Sequence, residues 1–520
     1  MIFLHTEERI MTDKRILKIP MNRVEGDLEV HVAIEDNVIV DAKSSGIMYR
    51  GFENLLKGRA AMDSLVITPR ICGICGTAHL MTAAEALERV KGVICPDAAF
   101  YMRHIALAVE KIQSDIRHAF LMFTPDFLNP FYAKTKDFEE AVSRYEPFRG
   151  STVIETVAET RHLPGIIALI GGQWPHSSYM VPGGVTSMPS ENDLLKCAYI
   201  LKRFRKWYEN RVIGFDIESL NEIKSTDELF SLTLNSGEGR KSDLAFYLEY
   251  GKNIGLHTMG KSHGNYISCG IYGEQERKAL GVSDDPYFMG GTLFGNDAAA
   301  MDQSFITECL SHAWYKSDDA PRHPSEGNTA PYASGEESKK YSWAKAPRYN
   351  GHPAETGPLA SLMTARDALF TDLVKTIGES AYVRELARLL RPARLIAFVN
   401  RLLENPDMGS GYYNDPGDIL EGDGFGLTES TRGMLGHWSS ISDGKIENYQ
   451  VITPTTWNAS PRDENGVPGP WEKAMMDTEI KDPENPIELG HIIRSFDACL
   501  FCTVHFIDMK QSFFAHESFF

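Results

Sequence analysis

The chain reads R-I-C-G-I-C-G-T-A-H from residue 70 to residue 79 and D-A-C-L-F-C-T-V-H from residue 497 to residue 505. Each stretch holds a C-x-x-C pair with a histidine shortly after it. Two-residue spacing lets both sulfurs of a pair turn toward one metal, and thiolates select soft or borderline ions. Because the two pairs are more than 400 residues apart, a shared metal requires the two ends of the chain to meet. The spacing therefore predicts one interlocked domain.

The main alternative for these cysteines is a structural zinc site, since four cysteines are a common zinc ligand set. Zinc modules usually draw their ligands from one short segment, however, and neither pair has the βαβ context of a redox dithiol. Cys75 directly precedes a predicted helix, whose N-terminus favours a thiolate. The remaining cysteines lack paired spacing, so we predict that they are buried and inert; they are Cys95, Cys197, Cys269 and Cys309.

The composition is that of an ordinary globular protein. The 520 residues are 42% hydrophobic and 24% charged, which excludes disordered, collagen-like and coiled-coil classes. The formal net charge of −18 argues against a nucleic acid as the main partner. No apolar run is long enough to span a membrane, and the N-terminus does not resemble a secretory signal.

Hydrophobic periodicity predicts a mainly α fold with small β elements (α+β), built as a single large domain around a helical bundle. Alternating residues over 28–34 and 38–42 predict a hairpin. Helical spacing predicts helices over 77–90, 99–122, 194–204 and 360–404, the last being one or two helices broken near Pro392. Low periodicity predicts irregular stretches over 317–358, 405–425 and 459–489.

The two cysteine signatures resemble those of the large subunits of nickel–iron hydrogenases, particularly the uptake-type cytoplasmic branch. Further segments agree in order along the chain; they are RVEG 23–26, RGFE 50–53, GGQWPH 171–176, PGGV 182–185, KAPRY 345–349, TRG 431–433, NYQ 448–450 and PTTWN 454–458. The resemblance implies an N-terminal extension over 1–13 and a catalytic domain over 14–505. Residues 506–520 would be the tail of a precursor form, removed by a maturation protease.

By this resemblance, the four cysteines hold a Ni–Fe centre whose iron carries CO and cyanide. Cys75 and Cys502 would bridge nickel and iron, whereas Cys72 and Cys499 would be terminal on nickel. Heterolytic cleavage of H₂ needs a Lewis-acidic metal and a nearby base. Cys499 is the expected base, and Glu25 would then carry the proton outward.

The resemblance also implies residues that surround the iron ligands. Arg432 and Thr455 match positions that donate hydrogen bonds to cyanide. Pro454 and Asp497 lie in the matched segments beside them and are expected to contact the same cofactor.

Asp115 matches a polar position over the metals, in an alignment that is ambiguous by one residue with Ser114. The chain departs from many relatives at three places near these motifs. Thr431 and Ala498 stand where relatives have proline, and Thr455 stands where they have serine. The small polar replacements are expected to tune the centre, and Ala498 puts backbone rigidity in doubt rather than ligation.

A second cation site is implied by Glu53, the backbone carbonyl of Val451 and His505. Carboxylate and carbonyl oxygens suit Mg²⁺, and the site holds magnesium or iron in the family. Three further histidines of the motif regions are expected to be packed and hydrogen-bonded rather than ligands; they are His79, His118 and His176.

The sequence implies partners as well. Without further cysteine clusters the chain cannot carry electrons outward, so an iron–sulfur small subunit is required, in a heterodimer or a higher oligomer. Nickel-insertion factors and the maturation protease would act on the precursor. We expect a cytoplasmic location, with membrane association only through partner subunits. The alternatives are an H₂-sensing regulatory subunit and a non-catalytic subunit, like that of respiratory complex I, with zinc in the cysteines.

Overall fold

The structure is a computed structural model. It describes residues 15–499 except 236, 238, 317–319, 333–338, 405–408 and 410, and of residue 240 only the backbone. Helices make up 48% and strands 18% of it, which confirms the mainly helical fold with β elements.

The helices are bounded as follows: α1 Phe52–Leu56, α2 Ser64–Ile67, α3 Gly76–Lys91, α4 Asp97–Arg117, α5 Phe138–Tyr145, α6 Ser151–Thr160, α7 Pro164–Gly171, α8 Glu191–Trp207, α9 Ile217–Glu222, α10 Thr226–Asn235, α11 Asp243–Asn253, α12 Glu274–Ala279, α13 Pro286–Met289, α14 Pro358–Thr364, α15 Ala368–Thr376, α16 Ala381–Glu404, α17 Pro454–Asn458, α18 Pro470–Met475 and α19 Ile487–Ser495. The predicted helices over 77–90, 99–122 and 194–204 are confirmed as α3, α4 with a following π-turn, and α8.

The strands are bounded as follows: β1 Arg15–Pro20, β2 Leu28–Glu35, β3 Val38–Gly46, β4 Met180–Val181, β5 Gly184–Val185, β6 Asn265–Ser268, β7 Gly291–Phe294, β8 Asp297–Ala299, β9 Ile306–Cys309, β10 Ala346–Tyr349, β11 Gly422–Ser430, β12 Gly433–Ser442 and β13 Lys445–Ile452. They pair antiparallel in the orders β1-β2-β3, β4-β5, β6-β7-β8, β10-β9 and β11-β12-β13.

The predicted N-terminal hairpin is confirmed as β2 and β3. Asp36 and Asn37 join these strands with φ of 49° and 64°. Two successive left-handed residues fit the tight turn that matches the twist of antiparallel strands. The three stretches predicted to be irregular are mostly without helix or strand in their described parts. The exceptions are β10, α18 and the starts of β11 and α19.

The expected break near Pro392 is wrong. Residues 358–404 form α14, α15 and α16, and α16 runs unbroken through Pro392. The breaks lie elsewhere because Asp367 caps α15 by accepting from the amide of Phe370 at 3.1 Å, and Gly378 follows α15 with φ of 98°. Most of α16 is buried and it packs along α4, so tertiary packing compensates for the hydrogen bond that proline lacks.

A continuous hydrophobic core joins the two ends of the chain. It extends from Leu28 in β2 to Cys499 and includes Cys72 and Cys75. This agrees with the interlocked domain expected from the cysteine spacing. The predicted limits at residues 14 and 505 lie outside the described residues and stay predictions.

The helix that follows Cys75 packs directly on the backbone of β11. A Cβ atom at Gly426 would lie 1.9 Å from the carbonyl oxygen of Thr82 in α3, and one at Gly424 would lie 2.1 Å from that of Ala86. No side chain fits between helix and strand at these two positions. The contact therefore fixes α3 to the strand that leads toward Arg432.

We predict that Gly426→Ala lowers the free energy of unfolding by about 1–3 kcal/mol, because the added methyl forces α3 away from the sheet. Thermal or denaturant unfolding of the purified protein measures the loss. Gly165→Ala in α7 is the matched control, since its Cβ would meet only the Ile200 side chain at 3.5 Å. Equal stability of the two variants would contradict this packing.

Candidate metal centre

The first cysteine of each pair meets the other in the structure. The sulfurs of Cys72 and Cys499 lie 3.9 Å apart, and both residues are buried. This separation is far too long for a disulfide. It is close to the roughly 3.8 Å expected between two sulfurs that bind one metal in a tetrahedral site with metal–sulfur bonds of about 2.3 Å. Cys502 and His505 lie outside the described residues.

The first pair lies in the turn before α3. Cys75 occupies the N-cap position of that helix, and the amide of Ile74 donates to the sulfur of Cys72 at 3.3 Å. Hydrogen bonds to sulfur favour the thiolate, which is the form that binds metal. The Arg50 guanidinium donates to the carbonyl of Ile71 at 2.6 Å and holds this turn in place.

Buried Glu110 of α4 fixes the start of α3. Its carboxylate accepts from the amides of Thr77 at 3.1 Å and Ala78 at 3.3 Å, and from the indole of Trp174 at 3.2 Å. These are the first amides of α3, which have no partner within the helix. Sequence reasoning missed Glu110, because nothing in the pattern of α4 distinguishes it from a solvent-facing glutamate.

Cys499, the first cysteine of the second pair, is fixed by the segment that carries Glu25. The amide of Glu25 donates to the carbonyl of Ala498 at 3.1 Å, and residue 25 forms a parallel bridge with Cys499. The N-terminal motif and the C-terminal signature thus pair through their backbones. This pairing brings the predicted proton carrier beside the predicted base.

Arg432 and Asp497 form a buried ion pair beside the cysteines. The Nε of Arg432 lies 3.0 Å from Oδ1 of Asp497 and donates to its carbonyl at 3.1 Å. Burial alone lowers the pKa of Arg432, but the Asp497 carboxylate and the three cysteines near it raise that pKa well above its usual value. The guanidinium is therefore a permanent cation.

One guanidinium nitrogen of this pair points to a bound group. Nη1 of Arg432 is buried and has no hydrogen-bond partner among the described residues. A buried charged donor without an acceptor is costly, so native structures supply one. The orphaned nitrogen fits the predicted acceptor, a ligand on the metal centre.

Thr455 contacts the second pair directly. Its hydroxyl oxygen accepts from the amide of Cys499 at 3.2 Å, and a hydroxyl that accepts still carries a proton to donate. Pro454, predicted to line the same site, is the buried first residue of α17. Proline suits that position because it has no amide hydrogen to leave unsatisfied.

A cavity of about 240 Å³ adjoins these residues. Glu25, Ser114, His118, Arg432 and Asp497 are among the residues that line it. Burial raises the pKa of the half-buried Glu25, Arg432 opposes the shift, and the charges of Cys72 and Asp497 add to it. The cavity provides space for water beside Glu25.

Asp115 does not line this cavity. Its carboxylate receives two hydrogen bonds from Arg391, at 2.8 Å from Nε and 2.6 Å from Nη2, and Nη2 also donates to the carbonyl of Thr431 at 2.5 Å. Ser114 is the member of the ambiguous pair that lines the cavity. Asp115 is linked to the site through Arg391, which donates to the carbonyl of Thr431, the residue before Arg432.

The residues of the second predicted site also come together in part. The Glu53 carboxylate accepts from the amide of Val451 at 2.9 Å, from the Lys345 ammonium at 3.2 Å and from the Thr329 hydroxyl. Lys345 also donates to Gln450 at 2.6 Å. Sequence reasoning did not assign Lys345 and Thr329 to a site, because the residues around them lack a regular pattern.

The remaining histidines and cysteines lie as expected. His79 and His437 share a hydrogen bond of 3.1 Å, burial lowers the pKa of His79 to about 4, and His176 contacts the carbonyl of Pro69 at 3.0 Å. His118 is different, because it lies 3.8 Å from Asp497 in the cavity wall. The four unpaired cysteines are buried and free.

Comparison with known proteins identifies relatives over nearly the whole chain. A family model described as nickel-dependent hydrogenase matches residues 50–159 and 151–505. The chain is 29% identical to the periplasmic [NiFeSe] hydrogenase large subunit of Desulfomicrobium baculatum, and the match covers 94% of each protein. It is 28% identical to the uptake hydrogenase large subunit of Rhodobacter capsulatus, covering 95% of each.

Solved structures agree with these matches. The H₂-activated [NiFeSe] hydrogenase of Dm. baculatum superposes with a TM-score of 0.80 at 28% sequence identity. The superposition covers 95% of this chain and 100% of the other. The fold therefore extends over the same length in both proteins.

We predict that Asp497→Asn destabilises the protein by about 3–5 kcal/mol, because it leaves the Arg432 guanidinium buried without its counter-ion. Asparagine tolerates the left-handed backbone at this position, where φ is 58°. Unfolding measurements test the loss. Asp477→Asn is the matched control, since Asp477 has φ of 64° and an exposed ion pair with Lys473. Similar effects of the two substitutions would contradict the role of the buried pair.

Proposed function

Because this chain belongs to the nickel-dependent hydrogenase family, we propose that it is the catalytic large subunit of a nickel–iron hydrogenase, which oxidises H₂ reversibly to protons and electrons. The observation that carries this function is the approach of Cys72 and Cys499 to 3.9 Å beside the orphaned guanidinium of Arg432. The family match favours this function over the H₂-sensing and zinc-binding alternatives.

Four thiolates would hold the Ni–Fe centre. Cys72, Cys75, Cys499 and Cys502 would be its ligands. When bound, this group supplies the Lewis acidity that heterolytic cleavage of H₂ requires. In support of this assignment, Cys72, Cys75 and Cys499 belong to one buried core. The charges of all three raise the pKa of Arg432.

The chain's own residues would then move the proton. The Cys499 thiolate would accept it, and Glu25, whose backbone pairs with that of Cys499, would receive it next. From Glu25 the proton enters the adjoining cavity, where water can take it up. Asp497 keeps the Arg432 guanidinium fixed throughout this transfer.

Arg432 and Thr455 would donate hydrogen bonds to the cyanide ligands of iron. Each has a donor that these acceptors would satisfy, namely the orphaned Nη1 of Arg432 and the hydroxyl proton of Thr455. Pro454 and Asp497 would shape the same pocket. Asp115 would act indirectly, because it holds Arg391 against the carbonyl of Thr431.

Glu53, the carbonyl of Val451 and His505 would bind Mg²⁺ or iron. In support, Glu53 is buried and held against Val451 at 2.9 Å. Lys345 already contributes one positive charge there, so the cation would share the Glu53 carboxylate with an ammonium group. Oxygen ligands of this kind suit a hard cation.

Electrons would leave through an iron–sulfur small subunit in a heterodimer or a higher oligomer. The maturation protease and nickel-insertion factors would act on the C-terminal tail. Of the described helices, none combines the length and apolar character of a membrane span. We place the subunit in the cytoplasm, with any membrane attachment through partner subunits.

We predict about one nickel per chain in the purified complex, together with infrared bands of CO and cyanide on iron, since four thiolates around one site select such metals. Elemental analysis and infrared spectroscopy of the same sample measure both. Zinc alone, without these bands, would overturn the proposed function.

We predict that Cys499→Ala abolishes exchange between H₂ and deuterated water, because the base and a metal ligand are lost together. Glu25→Gln should retain H₂ binding but slow the exchange by about 10²-fold or more, the usual contribution of a positioned acid or base. Glu29→Gln, in β2 outside the cavity, is the control. Equal exchange rates in Glu25→Gln and the unchanged protein would refute the relay role of Glu25.

A further inference from the structure

One face of α4 carries polar side chains through the interior of the protein. His104, Lys111, Ser114 and His118 are between 4% and 7% exposed. Their spacings of seven, three and four residues place them on the same side of the helix. A buried helix face is normally apolar. This polar stripe therefore needs an explanation beyond packing.

The stripe joins two cavities. At one end, Ser114 and His118 line the cavity next to Glu25. At the other end, His104 and Lys111 line a second cavity of about 30 Å³, together with Glu85, Glu276 and Glu429. This volume is enough for about two water molecules. Since Lys111 and Ser114 are three residues apart, less than one helical turn separates the two cavities along α4.

Lys111 faces the second cavity as an isolated ammonium. Among the described residues, none forms a hydrogen bond or ion pair with it. The pKa of Lys111 is lowered to about 8, mainly by burial and next by the charge of Arg391, while Glu429, Asp115 and Cys269 oppose the shift. The charged and titratable groups that face it from the surrounding elements are Glu85, His104, Asp115, Cys269, Glu276, Arg391 and Glu429. A buried donor in this setting is satisfied by ordered water.

The acidic side of the cavity leads toward the surface. The Glu85 carboxylate accepts from the amide of Leu427 at 3.1 Å and lies 3.8 Å from Arg89, whose side chain is 30% exposed. Burial raises the pKa of Glu85. His104 and Glu276 are paired at 2.7 Å across the same cavity.

We propose that Lys111 and the water around it form a second proton route from the metal centre, parallel to that of Glu25. The route rests on the proposed function. The Lys111 ammonium gives a proton to the Glu85 carboxylate, and the neutral amine left behind takes up a proton that comes from the first cavity through the Ser114 hydroxyl and water. The Glu85 acid then loses its proton to bulk water beside Arg89. No electrons move in these steps.

Other occupants of the second cavity fit less well. Three carboxylates in its wall disfavour an anion. Within the described ranges, no group of three histidine, cysteine or acidic residues could hold a metal ion. Water is the occupant that satisfies both Lys111 and the carboxylates.

The test compares Lys111→Met and Lys111→Arg in the complete enzyme complex, each alone and combined with Glu25→Gln. Arginine keeps the positive charge but does not lose its proton, so both variants should block the route. We expect H₂ exchange with deuterated water to fall by about tenfold more in either double variant than in Glu25→Gln alone. The size of this loss in exchange rate should change with pH near the pKa of Lys111. Lys196→Met, at an exposed lysine of α8, is the control.

A loss in the double variant with Lys111→Met but none in the double variant with Lys111→Arg would overturn the route, because only the charge would then matter. Exchange in the double variants equal to that of Glu25→Gln would overturn it as well. Nickel content and the infrared bands of CO and cyanide are measured in every sample. If nickel and these infrared bands were absent from the unchanged protein, that result would refute the proposed function rather than the proton route.

A second measurement does not depend on turnover. Infrared spectra of the resting complex record the stretch of protonated carboxyl groups as pH is varied. We expect Lys111→Met to shift the titration of one such band upward, since a neighbouring cation is lost, and Glu85→Gln to remove that band. A band that titrates identically with and without Lys111 would show that the two groups share no cavity, contrary to the proposal.

Discussion

The structure depends on the meeting of the two ends of the chain around the cysteine sulfurs. Cys72 and Cys499 approach to 3.9 Å because the backbone of Glu25 pairs with residues 498 and 499 and because Arg432 is paired with Asp497. Each of these contacts joins segments that are far apart in sequence. The stability of the centre therefore cannot be separated from that of the whole domain, and substitutions far from the metal are expected to affect its binding.

Electrostatics in the interior follow one rule. The buried ions are mostly paired, as Arg432 is with Asp497 and Arg391 with Asp115, since an unpaired charge is costly in a low-dielectric interior. Two buried donors without a partner among the described residues lie beside the cavities. The Nη1 atom of Arg432 fits a group on the metals, and the Lys111 ammonium fits ordered water.

Much of this could be predicted from the sequence, because the decisive signals are local. The C-x-x-C spacing drew attention to the cysteine pairs, of which Cys72 and Cys499 meet in the structure, and periodicity identified α3, α4 and the hairpin. What depends on tertiary context could not be predicted. The helix through Pro392 is maintained by burial against α4, which no local pattern records. Ser114 rather than Asp115 faces the cavity because of the rotation of α4, and Glu110 is recognisable only once α3 is packed beside it.

The separation of the ligands also constrains the order of events during synthesis. Translation proceeds from the N-terminus, so Glu25, Cys72 and Cys75 leave the ribosome long before the last signature exists. Two thiolates alone are an incomplete ligand set, and the backbone pairing of Glu25 with residue 498 cannot form until residue 498 has been synthesised. A polypeptide truncated before this residue cannot assemble the site, so metal binding reports that translation has passed the second cysteine signature.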